Sequence, residues 1–411
     1  MEWLLVLGAF VAVNWLSAAF QEPISFNEGR GSDGVVYVGV ATQFSGGVRP
    51  EGRAPFVYRI GTPLLATLVP GPLRLGDFEV VNIVGNAIAC ALLLLWLRLY
   101  LDDWRVRTAL VVCFISQWHG PVRYVHYYPA SVEPWIHVFL LSGLILMQWA
   151  RENPRPIRIV ALAVVSAVGV LFREVMLLVP LAFCFAVFPI RGERRSSPAI
   201  AFGLPLLSGV VALLCVRSLV IQVNDYSFGA QAMRFLAEKS LWRYVLAIFI
   251  AFGPVVVVPL YDWRGSLRFL SSHKPLLAFG AATALLAFVG GSDTERFLYW
   301  SMPVVYVLIG RAIEHRRHAF GIGLAVALIA AQSLSQRLFW VIPDFPGDFP
   351  HRLPLLTPTS SEVPYTDLLA LASPRVGGWA LVEFALLGVV TLIALSVRER
   401  RVPPSAHVRS G

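Results

Sequence analysis

Residues 78–101 read FEVVNIVGNAIACALLLLWLRLYL. Only Glu79 and Arg98 carry charge, one near each end, and the run is otherwise apolar except for a few small or polar residues such as Asn82 and Asn86. As a helix this stretch would be about 36 Å long, enough for a hydrocarbon core of about 30 Å. Lipid offers no water to backbone amides, so a segment of this kind crosses a bilayer as a helix with its hydrogen bonds closed internally.

Eleven further apolar runs, bounded by charge or by Pro and Gly, flank it: 3–20, 108–118, 134–150, 159–172, 175–189, 199–220, 241–260, 275–291, 297–310, 319–336 and 376–397. The 411 residues are 57% hydrophobic and only 14% charged, more apolar side chain than a soluble domain of this size can bury. The expected fold is therefore an all-α polytopic membrane protein of about 12 transmembrane helices. It forms one domain over residues 1–397, followed by a short basic tail, 398–411. Residues 3–20 end in the small residues Ser17, Ala18 and Ala19, but no Lys or Arg precedes them, so a retained first span is favoured over a signal peptide. The four cysteines all lie in apolar runs and show neither a disulfide framework nor metal-ligand spacing.

A net charge of +9 would suggest nucleic acid in a soluble protein. Here it follows the loops. With the N-terminus inside, the inner segments 102–107, 151–158, 191–198, 261–274, 311–318 and the tail hold about 18 Lys and Arg, at about threefold the density of the outer segments. Both termini are thus expected in the cytoplasm, the chain in the cytoplasmic (inner) membrane, and nucleic acid is not an expected partner. The acids run the other way, so the outer face carries mixed charge. The two longest loops, 21–77 and 337–375, are both outside, and long loops on a compact scaffold tend to carry function.

Within the first outer loop, Ser32 or Asp33 suits the N-cap of a short surface helix running to Phe44. Spacing of four then places Asp33, Tyr37 and Ala41 on one side, with the carboxylate at the positive end of the helix dipole, where it should stay ionised. Such a carboxylate can act as a general base toward a hydroxyl, or can simply cap the helix. Arg59, isolated in the apolar stretch 55–66, can fork onto a phosphate at headgroup level or snorkel to ordinary lipid phosphates.

The pattern Asp33-Gly-x-x-Tyr37-x-x-x-Ala41, then Tyr58-Arg59-x-x-x-Pro63-x-Leu65-Ala66 and a long apolar helix with Asn82 and Asn86, resembles bacterial polytopic proteins of the GT-C glycosyltransferase type. The resemblance is sharp over about 80 N-terminal residues and general beyond. It implies a membrane glycosyltransferase of inverting type, a sugar donor on a polyprenyl phosphate, and a glycan, lipid or protein acceptor on the outer face of the membrane. In that superfamily an acid of the first outer loop is the catalytic base, which carries over onto Asp33. Many relatives have two adjacent acids there, whereas Gly34 follows Asp33 and the nearest other acid is Glu28, the second catalytic candidate. No metal-binding motif is evident, and a divalent cofactor is left open.

Other outer-face residues extend the candidate site. Arg123 and Glu133 lie close to two membrane ends, among aromatics that also suit an interfacial belt. Arg173 and Glu174 interrupt an apolar stretch and form a tight outer turn. Arg296 starts a descending helix. Arginines Arg59, Arg173 and Arg296 arriving at one headgroup plane would clamp a phosphate, with Tyr37, Arg123, Glu133 and Glu174 as supporting binding residues. The last outer loop can be a lid, an acceptor surface or a structural cap. The main rival reading is a transporter or flippase of a lipid-linked saccharide, for which Gly253-Pro254 and Gly203-Leu204-Pro205 supply the required helix breaks. An O-antigen-ligase-like enzyme fits less well, because the sharper motif is in the first loop.

The topology has a direct check. Single cysteines at Ser196 and Ser360 should react with an impermeant thiol reagent from opposite sides of the membrane. Reaction from the same side would overturn the orientation.

Overall fold

The computed structural model describes residues 1–117, 120–185, 199–291, 293–320, 322–336, 338, 341–342 and 374–401. The inner segment 191–198, most of the last outer loop and the end of the basic tail therefore lie outside the described residues, together with the readings attached to them.

Among the described residues the chain is all-α apart from one two-residue bridge. At its centre runs the helix Leu75–Arg98, whose start is stabilised by the Asp77 carboxylate accepting the Arg74 N–H at 2.6 Å. Phe78, Gly85, Ala89, Leu93 and Trp96 face inward at three- to four-residue spacing. Val80, Val84, Ile88 and Leu95, on the opposite side, are exposed. Gly85 lets the indole of Trp135 approach so closely that a Cβ would sit 3.1 Å from the ring, which brings the helix Glu133–Glu152 flat against it. The two asparagines are buried and donate side-chain N–H groups to the backbone of the second outer loop: Asn82 to Pro129 and Ser131 at 2.8 and 2.7 Å, Asn86 to Pro121 at 2.9 Å.

The first helix, Glu2–Phe20, runs antiparallel to it. Glu2 binds Arg98 and Arg107, each at 2.7 Å, at the far end of the central helix. At the other end, Ile24 N–H donates to Tyr127 O at 2.8 Å, beside the start of the central helix. Leu4, Leu7, Val11 and Trp15 are exposed along this helix, and Leu204, Leu207, Val211 and Leu214 along the helix Ala199–Leu219. Exposed sides made of large apolar residues on three helices invert the pattern of a water-soluble bundle.

The expected count of about 12 full-length spans is not reached. Among the described residues two helices, Glu2–Phe20 and Leu75–Arg98, are long and apolar enough to cross a membrane. Two bent pairs, Leu241–Phe252 with Pro254–Tyr261 and Trp263–Ser272 with Lys274–Val289, raise this to four; they bend by 111° and 110°. Several of the other apolar runs are cut by charge, Pro and Gly. An example is the pair expected over 159–172 and 175–189: the helix Pro156–Val170 ends just before Arg173, and a 3-10 turn, Glu174–Leu177, leads into the short helix Leu178–Cys184.

The first outer loop folds into the expected short helices, Gly34–Ser45 and Gly61–Ala66, with a 3-10 turn at Phe56–Tyr58 between them. Sequence reading did not find its next partner. Glu51–Gly52 pairs in parallel with Ile221–Gln222, and the Ala54 N–H donates to Asn224 Oδ1 at 2.6 Å. This places the segment leading to the helix Phe228–Glu238 directly over the first loop.

Candidate functional site

The site is built from the start of the helix Gly34–Ser45. Asp33 occupies its N-cap position, yet its side chain makes no capping hydrogen bond. The buried Gly34 N–H, the first of the helix, donates to the Tyr128 hydroxyl at 2.6 Å. Two glycines make room for that ring: a Cβ on Gly31 would lie 2.2 Å from Tyr128, and one on Gly34 3.2 Å from it. Gly31 also adopts φ +64, where a side chain is strained. The Gly31-Ser-Asp-Gly34 spacing thus brings in an outside acceptor for the first N–H of the helix, and the Asp33 carboxylate, which makes no capping bond, is aimed elsewhere.

It faces a cavity of about 510 Å³, lined by five arginines, Arg53, Arg59, Arg173, Arg234 and Arg296, and three aspartates, Asp33, Asp225 and Asp293. Arg59, Arg173 and Arg296, separated by more than 100 residues in sequence, therefore do meet at one place. Each buried guanidinium has a fixed counter-charge. Arg59 lies 3.5 Å from Glu174 and donates to the Tyr37 hydroxyl at 3.1 Å. Arg173 is bonded to Glu133 and stacks over Trp300, 4.6 Å from the ring centre. Arg296 pairs with Asp293 at 3.0 Å and lies over the Tyr124 ring. Glu133 joins two of these units, since it also lies 3.9 Å from Arg296 and accepts the Trp300 indole N–H at 3.2 Å. Paired in this way, the guanidiniums are held in place before any ligand arrives, which is the condition for electrostatic stabilisation without reorganisation.

The electrostatics of Asp33 differ from expectation. Burial pushes its pKa above the usual carboxylate value, and the opposing pull of Arg296, Arg59 and Arg173 does not cancel that effect. The local dielectric, more than the helix dipole, sets this group, and a raised pKa makes it a better proton acceptor once ionised.

The nine sequence-predicted residues separate into three positions. Asp33, Arg59, Arg173 and Arg296 line the cavity. Tyr37, Glu133 and Glu174 stand behind the arginines and hold them. Glu28 and Arg123 are not brought in. Glu28 is solvent-exposed and pairs with Arg30 at 3.3 Å, because a positive φ at Asn27 and Glu28 turns the chain outward. Arg123 is buried, and donates to the backbone carbonyls of Ser116 and Gln336 at 3.3 and 3.1 Å. The segment 224–235 was missed, although Asn224, Asp225, Tyr226, Gln231, Arg234 and Phe235 form one wall. A signal for it existed: Ser227 as an N-cap ahead of an amphipathic stretch. Among the described residues no group of three His, Cys, Asp or Glu side chains is arranged to hold a metal ion. Comparison of the chain with protein-family models, curated proteins and solved structures yields no match.

Next to the cavity, Glu295 is buried with neither carboxylate oxygen bonded to another residue among those described. Burial, reinforced by Asp293, pushes its pKa up to about 7. Lys239, whose ammonium donates to Ala287 O at 2.8 Å, is lowered by burial to about 8.

Two outcomes follow. Removing the Tyr128 hydroxyl in Tyr128→Phe strands the buried Gly34 N–H. The protein should lose about 1–3 kcal/mol of stability, read from its unfolding midpoint, and an unchanged midpoint would show that this bond contributes nothing. For Glu295, a raised pKa means a stability contribution fully present below about pH 4.5 and lost as pH rises through 7. Unfolding midpoints of wild type and Glu295→Gln should therefore agree below about pH 4. By pH 8 the variant should be the more stable, by something on the order of 3 kcal/mol.

Proposed function

We propose that this protein is a multi-pass enzyme of the cytoplasmic membrane, of the GT-C type, which transfers a sugar from a polyprenyl-phosphate donor to an acceptor hydroxyl on the outer face. The observation that carries this reading is a carboxylate that makes no capping bond and faces the same cavity as three buried, pre-paired arginines. Asp33 takes the proton of the acceptor hydroxyl as its oxygen attacks the anomeric carbon. The bond from that carbon to the phosphate oxygen breaks with inversion, and the phosphate leaves with the electron pair beside Arg59, Arg173 and Arg296. Weak nucleophiles need that base, and the leaving phosphate needs fixed positive charge.

The membrane assignment rests on the apolar exposed sides of the helices and on the sorting of loops. Segments expected outside surround this cavity. Those expected inside, including Asp102, Arg151, Arg268 and Arg311, surround a second cavity of about 880 Å³ at the other end of the central helix. The shorter apolar helices would complete the count of about 12 crossings as broken or tilted spans.

One feature favours the alternative, a transporter or flippase of a lipid-linked saccharide. The break at Gly253, where φ is +71, bends the helix pair by 111°. The second proposed break, at Pro205, leaves its helix continuous.

Asp33→Asn separates the readings. A general base predicts that transfer from a polyprenyl-linked sugar falls about 10²- to 10⁴-fold while folding and donor binding persist. Asn caps helices about as well as Asp, so a purely structural role predicts an unchanged rate, which would remove Asp33 as the base and with it the main support of the enzyme assignment.

A further inference from the structure

The helix Phe228–Glu238 roofs the cavity in an unusual orientation. At 100° per residue, Gln231, Arg234 and Glu238 form its polar side, and Phe228, Ala232, Met233 and Leu236 its apolar side. In a soluble protein the apolar stripe would face the core. Here the side that lines the cavity carries Gln231 and Arg234, with Phe235 at its edge, while the apolar side faces away from the protein. Phe228 is 49% exposed, Met233 66% and Leu236 48%, and no residue of the helix is buried. The chain on either side continues the same surface, with Leu219, Ile221, Val223 and Leu241 all exposed. Both ends are nevertheless tied down, by Asn224 to the first loop and by Lys239 to Ala287.

We propose that the apolar side of this helix lies in the outer leaflet of a phospholipid bilayer. Its inverted amphipathicity is that of an interfacial helix, buried a few ångströms into the headgroup boundary. Water would leave the large side chains uncovered, and a protein partner would have to match a surface that runs on into the exposed leucines of the helix Ala199–Leu219. The consequence for the cavity, which rests on the function proposed above, concerns its mouth. Arg234 and Arg53 are held at the plane of lipid phosphates, so the occupant is a phosphate-bearing amphiphile that enters sideways from the bilayer rather than a water-soluble sugar nucleotide.

The test uses the full-length protein with its four cysteines replaced by serine or alanine, in liposomes of phosphatidylethanolamine and phosphatidylglycerol. An environment-sensitive fluorophore at Met233→Cys or Leu236→Cys should shift to the blue on reconstitution and be quenched by bromolipids. The same label at Asp225→Cys should remain quenchable by iodide. Iodide quenching at Met233 equal to that at Asp225 would overturn the proposal, as would burial of the label that depends on protein concentration, the sign of a second copy on that face. The double variant Met233→Glu, Leu236→Glu should raise KM for a long-chain lipid-linked donor in membranes while leaving kcat and the use of a short-chain soluble donor unchanged. An unchanged KM would overturn the sideways route. If the wild type turns over no donor, the function proposed above fails while the fluorescence result still decides where the helix lies.

Discussion

A guanidinium removed from water must meet a counter-charge, because an isolated ion in a low-dielectric interior costs several kcal/mol. At one end of this protein that constraint applies three times within a small volume, and the local structure is arranged to meet it. Glu174, Glu133 and Asp293 each answer one arginine, and Glu133 reaches two. The aromatic rings of Phe56, Trp300 and Tyr124 lie against the flat faces of the same guanidiniums, which carbon packing tolerates and an ammonium would use less well. The carboxylates set direction and the rings set plane, so the N–H groups left over point toward a shared space.

Charge pairing of this kind has a consequence for what the cavity can hold. With each arginine already matched, the ligand does not meet three free positive charges; it meets oriented donors whose net field is modest. Such a site discriminates by geometry more than by Coulombic strength, and it does not retain a released anion strongly. Asp33 fits the same picture. Burial raises its pKa against the pull of Arg296, Arg59 and Arg173, so desolvation outweighs the arginines there.

Much of the candidate site was legible before the fold was known. Asp33 and Tyr37 were placed together by helical spacing, and Arg59, Arg173 and Arg296 stood out because charge next to apolar runs is costly and needs a reason. The same reasoning preferred Asp33 but kept Glu28 as a second candidate, and it did not exclude Arg123. Glu28 is turned away by backbone torsions at Asn27 and Glu28, and Arg123 finds carbonyl acceptors more than 200 residues away at Gln336. Neither torsion nor distant acceptor leaves a trace in local composition. The wall formed by residues 224–235 was missed because its placement depends on a two-residue bridge, too short to give any periodic signal.

What the sequence determined by itself was the helical class and the apolar excess, since both follow from summed side-chain chemistry, and a backbone surrounded by apolar groups can close its hydrogen bonds only within a helix. It also determined which groups would be expensive to bury. Helix lengths follow from both, since Pro, Gly and charge break the runs and packing sets where each break falls. Tertiary structure alone decided that the first N–H of the helix Gly34–Ser45 is met by the hydroxyl of Tyr128. A hydrogen bond between groups 94 positions apart is settled by packing, which no local pattern encodes.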